Sequence, residues 1–554
     1  MMKRKSKVIL LSLLSIILIS LLLRTIPLFR YSMWGMDCGE YIYYTGRWTE
    51  TGSSYLSIDG WAQAYPYFPG MFVLSGSFVL ISGTSTLEST VFLPVILSSF
   101  VPLMVFLVSY KITKRWKPSL IASIFLSVVA PFVYNHSQPK PETVGVFIMM
   151  ILLICFVMLS KKSKKFYLLV IPTALALAVT HHLTSYFLIL FMLGGIFISE
   201  LSKRRTDKDN IYRLFGYISV TAVVISFWMI YADPFRERRI YQALGTPSYS
   251  IILGPFAVLI IAYILVKLRR RSDYVLPINI HKQNLRSFIK FAVPALVISS
   301  LLLLFAGYYR VPGRDFKLGP QVFFYFPLIF LGILAVEARK IIKFFKDGMH
   351  VVGWFLFAMI SMILGIITED SSLLPMRQLS FLILPLAILL GLGIVQVFDL
   401  YNPFKKKWKT AGMIVLVILL LSWSIPFTYP EQERASGYHE GSDWEDVEAA
   451  IWSRNLDGRI ATDHRMSAVL FAASNQNLTW VDGYDMYFSP DHDEIRRELD
   501  ELNISYILWD QEMLRGVTTA PGVTPYPFDE SALEYYRRND YSVYKTEECE
   551  AYIV

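Results

Sequence analysis

The sequence predicts a polytopic α-helical membrane protein of about thirteen transmembrane helices, closed by a soluble α/β domain. Three observations carry this. Apolar and aromatic residues make up 54% of the 554, and charged residues only 18%, against about a quarter in an ordinary soluble domain. Apolar runs near 20 residues long recur between residues 8 and 428, and each can cross a hydrocarbon core of about 30 Å as a helix. After Pro430 the runs stop, and Asp, Glu and Arg become frequent. The chain is therefore expected to divide into a membrane domain, 1–428, and a polar domain, 429–554.

The first run follows MMKRKSK and has no small-residue cleavage site behind it, so it reads as a retained first span. Segments 67–83, 87–110, 118–134, 143–159, 166–180 and 183–201 come next, and seven more give fourteen in all. If all fourteen crossed, Lys111/Lys114/Arg115/Lys117, Lys161/Lys162/Lys164/Lys165 and Lys203/Arg204/Arg205 would lie opposite the N-terminal Lys3, Arg4 and Lys5. Segment 67–83 is the one to remove: it opens on YFPG, carries Gly70, Gly76 and Gly83, and is short. Without it the basic clusters share the cytoplasmic side with the N-terminus, and the C-terminal domain is extracytoplasmic.

The net charge of +9, from 53 basic and 44 acidic residues, is thus loop charge that orients the chain, and nucleic acid is not an expected partner. Cys38, Cys155 and Cys549 have no paired spacing, which argues against a disulfide framework or a zinc site.

The polar domain alternates helix and strand. SDWEDVEAAIWSRNL is an amphipathic helix opened by a capping box, Ser442 to Glu445. GRIATD, LTWVD, ISYILWD, YSVYKT and EAYIV read as strands, with HRMSAVLFAAS, SPDHDEIRRELDELN and SALEYYRRND as helices. None of these helices is opened by a glycine-rich phosphate loop, so no nucleotide site is expected there.

The threading sends the unusual polar residues outward. The first outer loop, 30–86, carries GMDCGEYIYY directly after the first span. Asp37 and Glu40 are three apart and share a face if that segment is helical. Such a pair can accept a proton from an acceptor hydroxyl or amide, or hold a divalent cation. YNHSQPKPETVGVF places His136, Lys140 and Glu142 before the next outer span start, where Glu142 also suits the helix dipole. His181 and His182 interrupt a largely apolar stretch at an outer turn, and adjacent imidazoles fit a single ligand or hydrogen bond better than a metal clamp. Arg377 opens a late span, where its guanidinium suits a lipid phosphate. Arg310, Arg314 and Lys317, with Arg236, Arg238 and Arg239, add positive charge on that side. Basic residues there run against the positive-inside trend and point to an anionic ligand.

This layout resembles the GT-C superfamily of membrane glycosyltransferases, which use polyprenyl-phosphate-linked sugars. The likeness lies in Asp37 of GMDCGEYIYY, in YPYFPGMFVLSGSFVLISGTS, similar to the protein-mannosyltransferase and aminoarabinose-transferase branches, and in Glu142, Arg377 and the outer C-terminal domain. Thirteen spans plus that domain are also similar to the oligosaccharyltransferase catalytic subunit. The tail departs from the latter: it has RIATDHRMSAVL where a WWDYG-type motif would stand.

The resemblance implies a glycosyltransferase acting at the extracytoplasmic face of the cell membrane on a glycan, lipid or protein acceptor. It implies Asp37 as base, with Glu40 and Glu142 as helpers, and a divalent cation, Mg or Mn, on Asp37 and Glu142. It further implies Arg377 on the lipid phosphate, a role that Lys140, His181, His182, Arg310 and Arg314 can share. Transfer of a glycan to protein Asn is the alternative. A lipid-linked sugar flippase is the other, disfavoured because no internal repeat is visible and the ionisable residues gather at one face.

Overall fold

The computed structural model describes residues 2–53, 64–160, 163–202, 208–232, 290, 292–301, 331–367, 375–400, 428–429, 440–474, 476–480, 482–483, 485–518, 526–539 and 541–554, with isolated positions between 412 and 422. Among them, six helices are long and apolar enough to cross a membrane: Ser6–Phe29, Thr86–Thr113, Pro141–Met158, His182–Leu201, Lys208–Ile230 and Arg377–Phe398. Trp116–Val128 and Ala130–Ser137 make a seventh if counted as one span bent by 57°. Helices solve the bilayer problem because every backbone N–H and C=O is satisfied within the segment. Gly70–Ser82, from the segment removed in the threading, has 13 residues, or about 20 Å of helix, short of a hydrocarbon core.

The chain separates into two compact units. One comprises Met1–Leu23, Leu97–Asn135 and Val144–Thr428; the other comprises Arg24–Ile96, His136–Thr143 and Tyr429–Val554. In the first, helices meet backbone to backbone at glycines. A Cβ on Gly353 would fall 2.1 Å from the Gly194 carbonyl oxygen, and one on Gly391 would fall 2.2 Å from that of Pro118. Small residues allow this approach where lipid gives no hydrophobic drive to helix pairing. Arg213 is buried there, paired with Asp347 at 2.9 Å and bonded to Asn210 and the Val157 carbonyl.

The second unit is built on a five-stranded sheet. Its strands are β3 (Arg459–Ala461), β4 (Asn477–Leu478), β5 (Ile504–Asp510), β6 (Tyr541–Lys545) and β7 (Cys549–Ile553), in the order β4-β3-β5-β7-β6. β4, β3 and β5 are parallel, β7 runs antiparallel to β5, and β6 is antiparallel to β7. Helices Trp444–Ser453 and His464–Ser474 contribute Ala449, Ala450, Met466, Val469, Leu470 and Phe471 to a core with Ile460, Leu508 and Ala551.

Two sequence expectations shift here. The capping box is Asp443 with Asp446, one residue beyond Ser442 and Glu445, because Ser442 belongs to β2 (Gly441–Ser442) and pairs with Met33 of β1 (Met33–Trp34). The strand expected over LTWVD stops at Leu478, because Trp480 turns into the left-handed region with φ +56°.

The β1–β2 pair clasps the first loop. The Gly35 N–H donates to the Glu440 carbonyl at 2.7 Å, the Met36 N–H to Glu440 Oε2 at 3.1 Å, and Ser32 Oγ to the carbonyls of Ser442 and Asp443. The helix Cys38–Thr51 then packs so closely on His464–Ser474 that a Cβ on Gly39 would stand 1.9 Å from the Ala468 carbonyl oxygen. Gly39→Val should lower stability by about 1–3 kcal/mol through forced separation of the two helices, read as a lowered melting temperature.

Cys38, Cys155 and Cys549 are all buried free thiols. Burial, with the Asp37 charge adding to it, pushes Cys38 up to about 12. Burial and the Asp446 carboxylate also raise Cys549. Since the thiolate is the reactive form, native protein at pH 8 should leave all three thiols unlabelled by maleimide, and denatured protein should label all three.

Candidate active site

Asp37 occupies the N-cap position of Cys38–Thr51, yet its side chain makes no capping hydrogen bond. An aspartate there ordinarily accepts from the N–H of the second or third helical residue. This one accepts from other side chains. Tyr65 Oη donates to Asp37 Oδ2 at 2.8 Å, and Tyr41 Oη stands 3.4 Å from the same oxygen and 2.9 Å from Tyr65 Oη. Asp37 Oδ1 is 3.6 Å from Nε2 of His464. The Asp37 side chain keeps 22% of its exposure, whereas His464 keeps 1%, so the carboxylate is reachable and its imidazole neighbour is held from behind.

The local sequence explains that hold. Asp463 precedes His464 and accepts from the backbone N–H of Met466 at 2.8 Å and of Thr518 at 3.2 Å. Burial raises the Asp463 carboxyl even though Arg465 and these N–H groups favour its charge. Arg465, on the other side, is locked to Asp446 at 2.7 Å and to Asp510. The histidine between these two anchored residues has little freedom to swing away from Asp37.

Tyr65 is driven well above its ordinary pKa by burial first and then by the charges of Asp37 and Glu40. It remains a neutral donor at any physiological pH. Further rings pack nearby: Tyr41 lies 5.1 Å from Tyr65, Tyr44 lies 5.4 Å from Phe72, and Tyr43 lies 4.2 Å from Phe471. Trp480 follows at 5.4 Å from Phe471 and 5.7 Å from His464.

The other residues singled out in the sequence are distributed as follows. Glu40 is buried in the first turn of Cys38–Thr51 and acts electrostatically on Tyr65. Segment His136–Thr143 belongs to the same unit, tied in by Trp34 Nε1 donating to Ser137 Oγ at 3.0 Å. There Glu142 is buried in the first turn of Pro141–Met158, and Lys140 Nζ donates to Gln138 Oε1 at 3.2 Å.

His181, His182 and Arg377 belong to the first unit. His181 is the N-cap of His182–Leu201, its Nδ1 accepting from the Thr184 N–H, and its ring lies 5.0 Å from that of His182. Arg377 is exposed in the first turn of Pro375–Leu400. Arg310 and Arg314 lie outside the described residues, as do Lys317, Arg236, Arg238 and Arg239.

Hard divalent cations need several carboxylate or carbonyl oxygens around them. Among the described residues, no three of His, Cys, Asp and Glu come together to hold one, and two phenols and an imidazole stand beside Asp37. Sequence reasoning passed over Tyr41, Tyr65, His464 and Trp480 as site residues. The aromatic density of GEYIYY and YPYFPG was the signal for the tyrosines; His464 carried none, being 427 positions from Asp37 (464 − 37).

No family model matches this sequence, and no curated protein does. Solved structures do match. The archaeal oligosaccharyltransferase AglB from Archaeoglobus fulgidus, in complex with an inhibitory peptide and a dolichol-phosphate, aligns with a TM-score of 0.62 at 13% identity over 92% of this chain and 70% of that one. The oligosaccharyltransferase of the same organism in complex with Zn and sulfate aligns at 0.59 and 13%, over 91% and 68%. The arabinofuranosyltransferase AftD from Mycobacteria aligns at 0.51 and 14%, over 98% of this chain but only 40% of that one. At these identities the likeness is one of fold: this chain shares its fold with the oligosaccharyltransferase and with the arabinofuranosyltransferase.

Proposed function

We propose that this protein is a GT-C glycosyltransferase that moves a sugar from a polyprenyl-phosphate-linked donor to an acceptor hydroxyl at the extracytoplasmic membrane face. The observation that carries the reading is Asp37: a reachable first-loop carboxylate that does not cap its own helix and is oriented by Tyr41, Tyr65 and His464. In this reading residues 1–428 are the membrane domain of about thirteen spans, with the N-terminus cytoplasmic, and 429–554 form the extracytoplasmic domain.

The transfer is an inverting displacement. The acceptor oxygen forms a bond to the anomeric carbon as the bond from that carbon to the phosphate oxygen breaks. The acceptor proton passes to the Asp37 carboxylate, and polyprenyl phosphate leaves with the bonding pair. Tyr41 and Tyr65 hold Asp37 Oδ2, so Oδ1 is the oxygen that takes the proton. Glu40 and Glu142 add negative charge, which favours positive character at the anomeric carbon. Arg377, Lys140, His181, His182, Arg310 and Arg314 are the basic candidates for the lipid phosphate, whose developing charge needs cationic stabilisation. No step is assigned to a Mg or Mn ion.

Membrane lipids and the lipid-linked sugar are the partners this chemistry requires. A lipid-resolved comparison of glycolipids and glycoproteins from cells with and without the protein tests the proposal. One glycoconjugate should disappear and its lipid-linked precursor accumulate; unchanged pools of both would sink it. The oligosaccharyltransferase reading is favoured by the likeness to AglB, whose structure holds a peptide. It predicts that the lost glycans are on Asn-x-Ser/Thr sites.

A further inference from the structure

Trp480 follows the short strand β4 with a φ of +56°. A bulky side chain is a genuine outlier there, and such strain persists only where the surroundings enforce it. The enforcement is visible on both sides. The Thr479 N–H donates to the Ile460 carbonyl at 3.3 Å, and Thr479 Oγ1 donates to the Thr462 carbonyl at 3.1 Å. The Asp482 N–H donates to the Thr479 carbonyl at 3.0 Å, and Asp482 pairs with Arg459 at 3.1 Å. The indole so placed is half-buried: one part packs on Phe471 and the core, and the rest is accessible. Next to it is the His464 ring, and next to that Asp37 Oδ1.

We propose that Trp480 and Asp37, positioned by the buried His464 between them, form a saccharide subsite, so that the acceptor is a sugar ring and not a peptide asparagine. A pyranose or furanose offers a face of C–H groups that stacks on an aromatic plane and an edge of hydroxyls that bonds to charged or polar groups. The half-buried indole and the reachable Asp37 carboxylate match that division, with the buried His464 ring standing between them. A peptide amide has no comparable C–H face, and stacking on Trp480 would do nothing for it. The proposal rests on the glycosyltransferase reading for its meaning, but its test needs no transfer.

Full-length protein in lipid nanodiscs, free of sugar detergents, is examined by saturation-transfer difference NMR with methyl α-mannopyranoside, methyl β-galactopyranoside, methyl α-arabinofuranoside and the peptide Ala-Asn-Ala-Thr. At least one glycoside should receive saturation at its ring protons. Trp480→Asn, an exchange to a residue that tolerates this φ, should weaken that signal about tenfold. Trp480→Phe should keep most of it, and His464→Gln should weaken it without abolishing it. Melting temperatures verify that the variants fold, and if Trp480→Asn does not, Trp480→Gly takes its place as the variant that removes the ring at a φ glycine adopts freely. Overturning results are no glycoside signal, a glycoside signal indifferent to both Trp480 variants, or a Trp480-dependent signal from the peptide in place of the glycosides. Glycoside binding with unchanged glycoconjugate pools in cells would sink the transferase reading and leave the subsite standing.

Discussion

Asp37→Asn should lower the rate of sugar transfer by about 10²–10⁴-fold while the protein folds normally, which is the effect expected when a general base is removed. The two side chains have the same shape. Because Asp37 does not cap Cys38–Thr51, its replacement leaves the backbone hydrogen bonds of that helix untouched. What changes is charge and acceptor capacity. The Tyr65 hydroxyl can still donate to the amide oxygen, but the second carbonyl-type oxygen, the one 3.6 Å from His464 Nε2, becomes an NH₂ that cannot take a proton. The rate is measured at saturating lipid-linked donor, alongside the melting temperature. Retention of full activity would remove Asp37 from the mechanism, and loss of activity together with the fold would reassign it to stability. Tyr65 shifts this expectation in a definite direction. As a neutral donor held far above its ordinary pKa by burial, Asp37 and Glu40, it keeps its hydrogen bond in the variant, so the loss falls on proton transfer and not on orientation.

How much of this was legible in the chain follows from the range of the forces involved. An apolar run declares a membrane helix on its own, since the helix satisfies its backbone internally and only the solvent is needed to explain the composition. ISYILWD and the helix beginning at His464 were likewise legible, because alternation and periodicity are local. The capping box was mislocated by a single residue. SDWED offers both Ser442 and Asp443 as caps, and the choice is made by Met33, which pairs with Ser442 across the sequence and draws it into a strand. Trp480 was read as part of a strand for a similar reason: nothing near it announces a left-handed turn, which Ile460 and Thr462 impose through Thr479. Asp37 stood out by its position after the first span, whereas His464 did not, since its significance lies in a contact with a residue hundreds of positions away. Close approach at Gly39 is what makes that contact possible, and a glycine in a helix has several explanations until its neighbour is known.

Arg465→Met should destabilise the C-terminal part of the chain by about 3–5 kcal/mol, the cost of stranding buried carboxylates. The guanidinium is almost fully buried. It bonds to Asp446 Oδ2 at 2.7 Å, Ser442 Oγ at 3.0 Å and the Gly441 carbonyl at 3.3 Å, and it pairs with Asp510. One side chain therefore ties His464–Ser474 to the helix Trp444–Ser453, to β2 and to the end of β5. Burial alone would lower its pKa, but the charges of Asp446 and Asp463 more than reverse this and hold it cationic. Methionine fills most of the volume, so the loss is electrostatic more than steric. The consequence can be separated from a packing defect by neutralising the stranded partners. In Arg465→Met/Asp446→Asn/Asp510→Asn the buried negative charge is gone, and stability should return by more than half. It should not return fully, because Asp446 completes the capping box with Asp443 and Asp510 accepts from the Met513 N–H at 2.8 Å, functions that asparagine performs less well. Urea unfolding followed by tryptophan fluorescence gives the comparison, and a single variant that loses under about 1 kcal/mol would show that Arg465 is not the tie described. A second readout connects stability to chemistry: because Arg465 follows His464 directly, the single variant should also lose transfer activity at temperatures where it remains folded, with the imidazole no longer fixed beside Asp37.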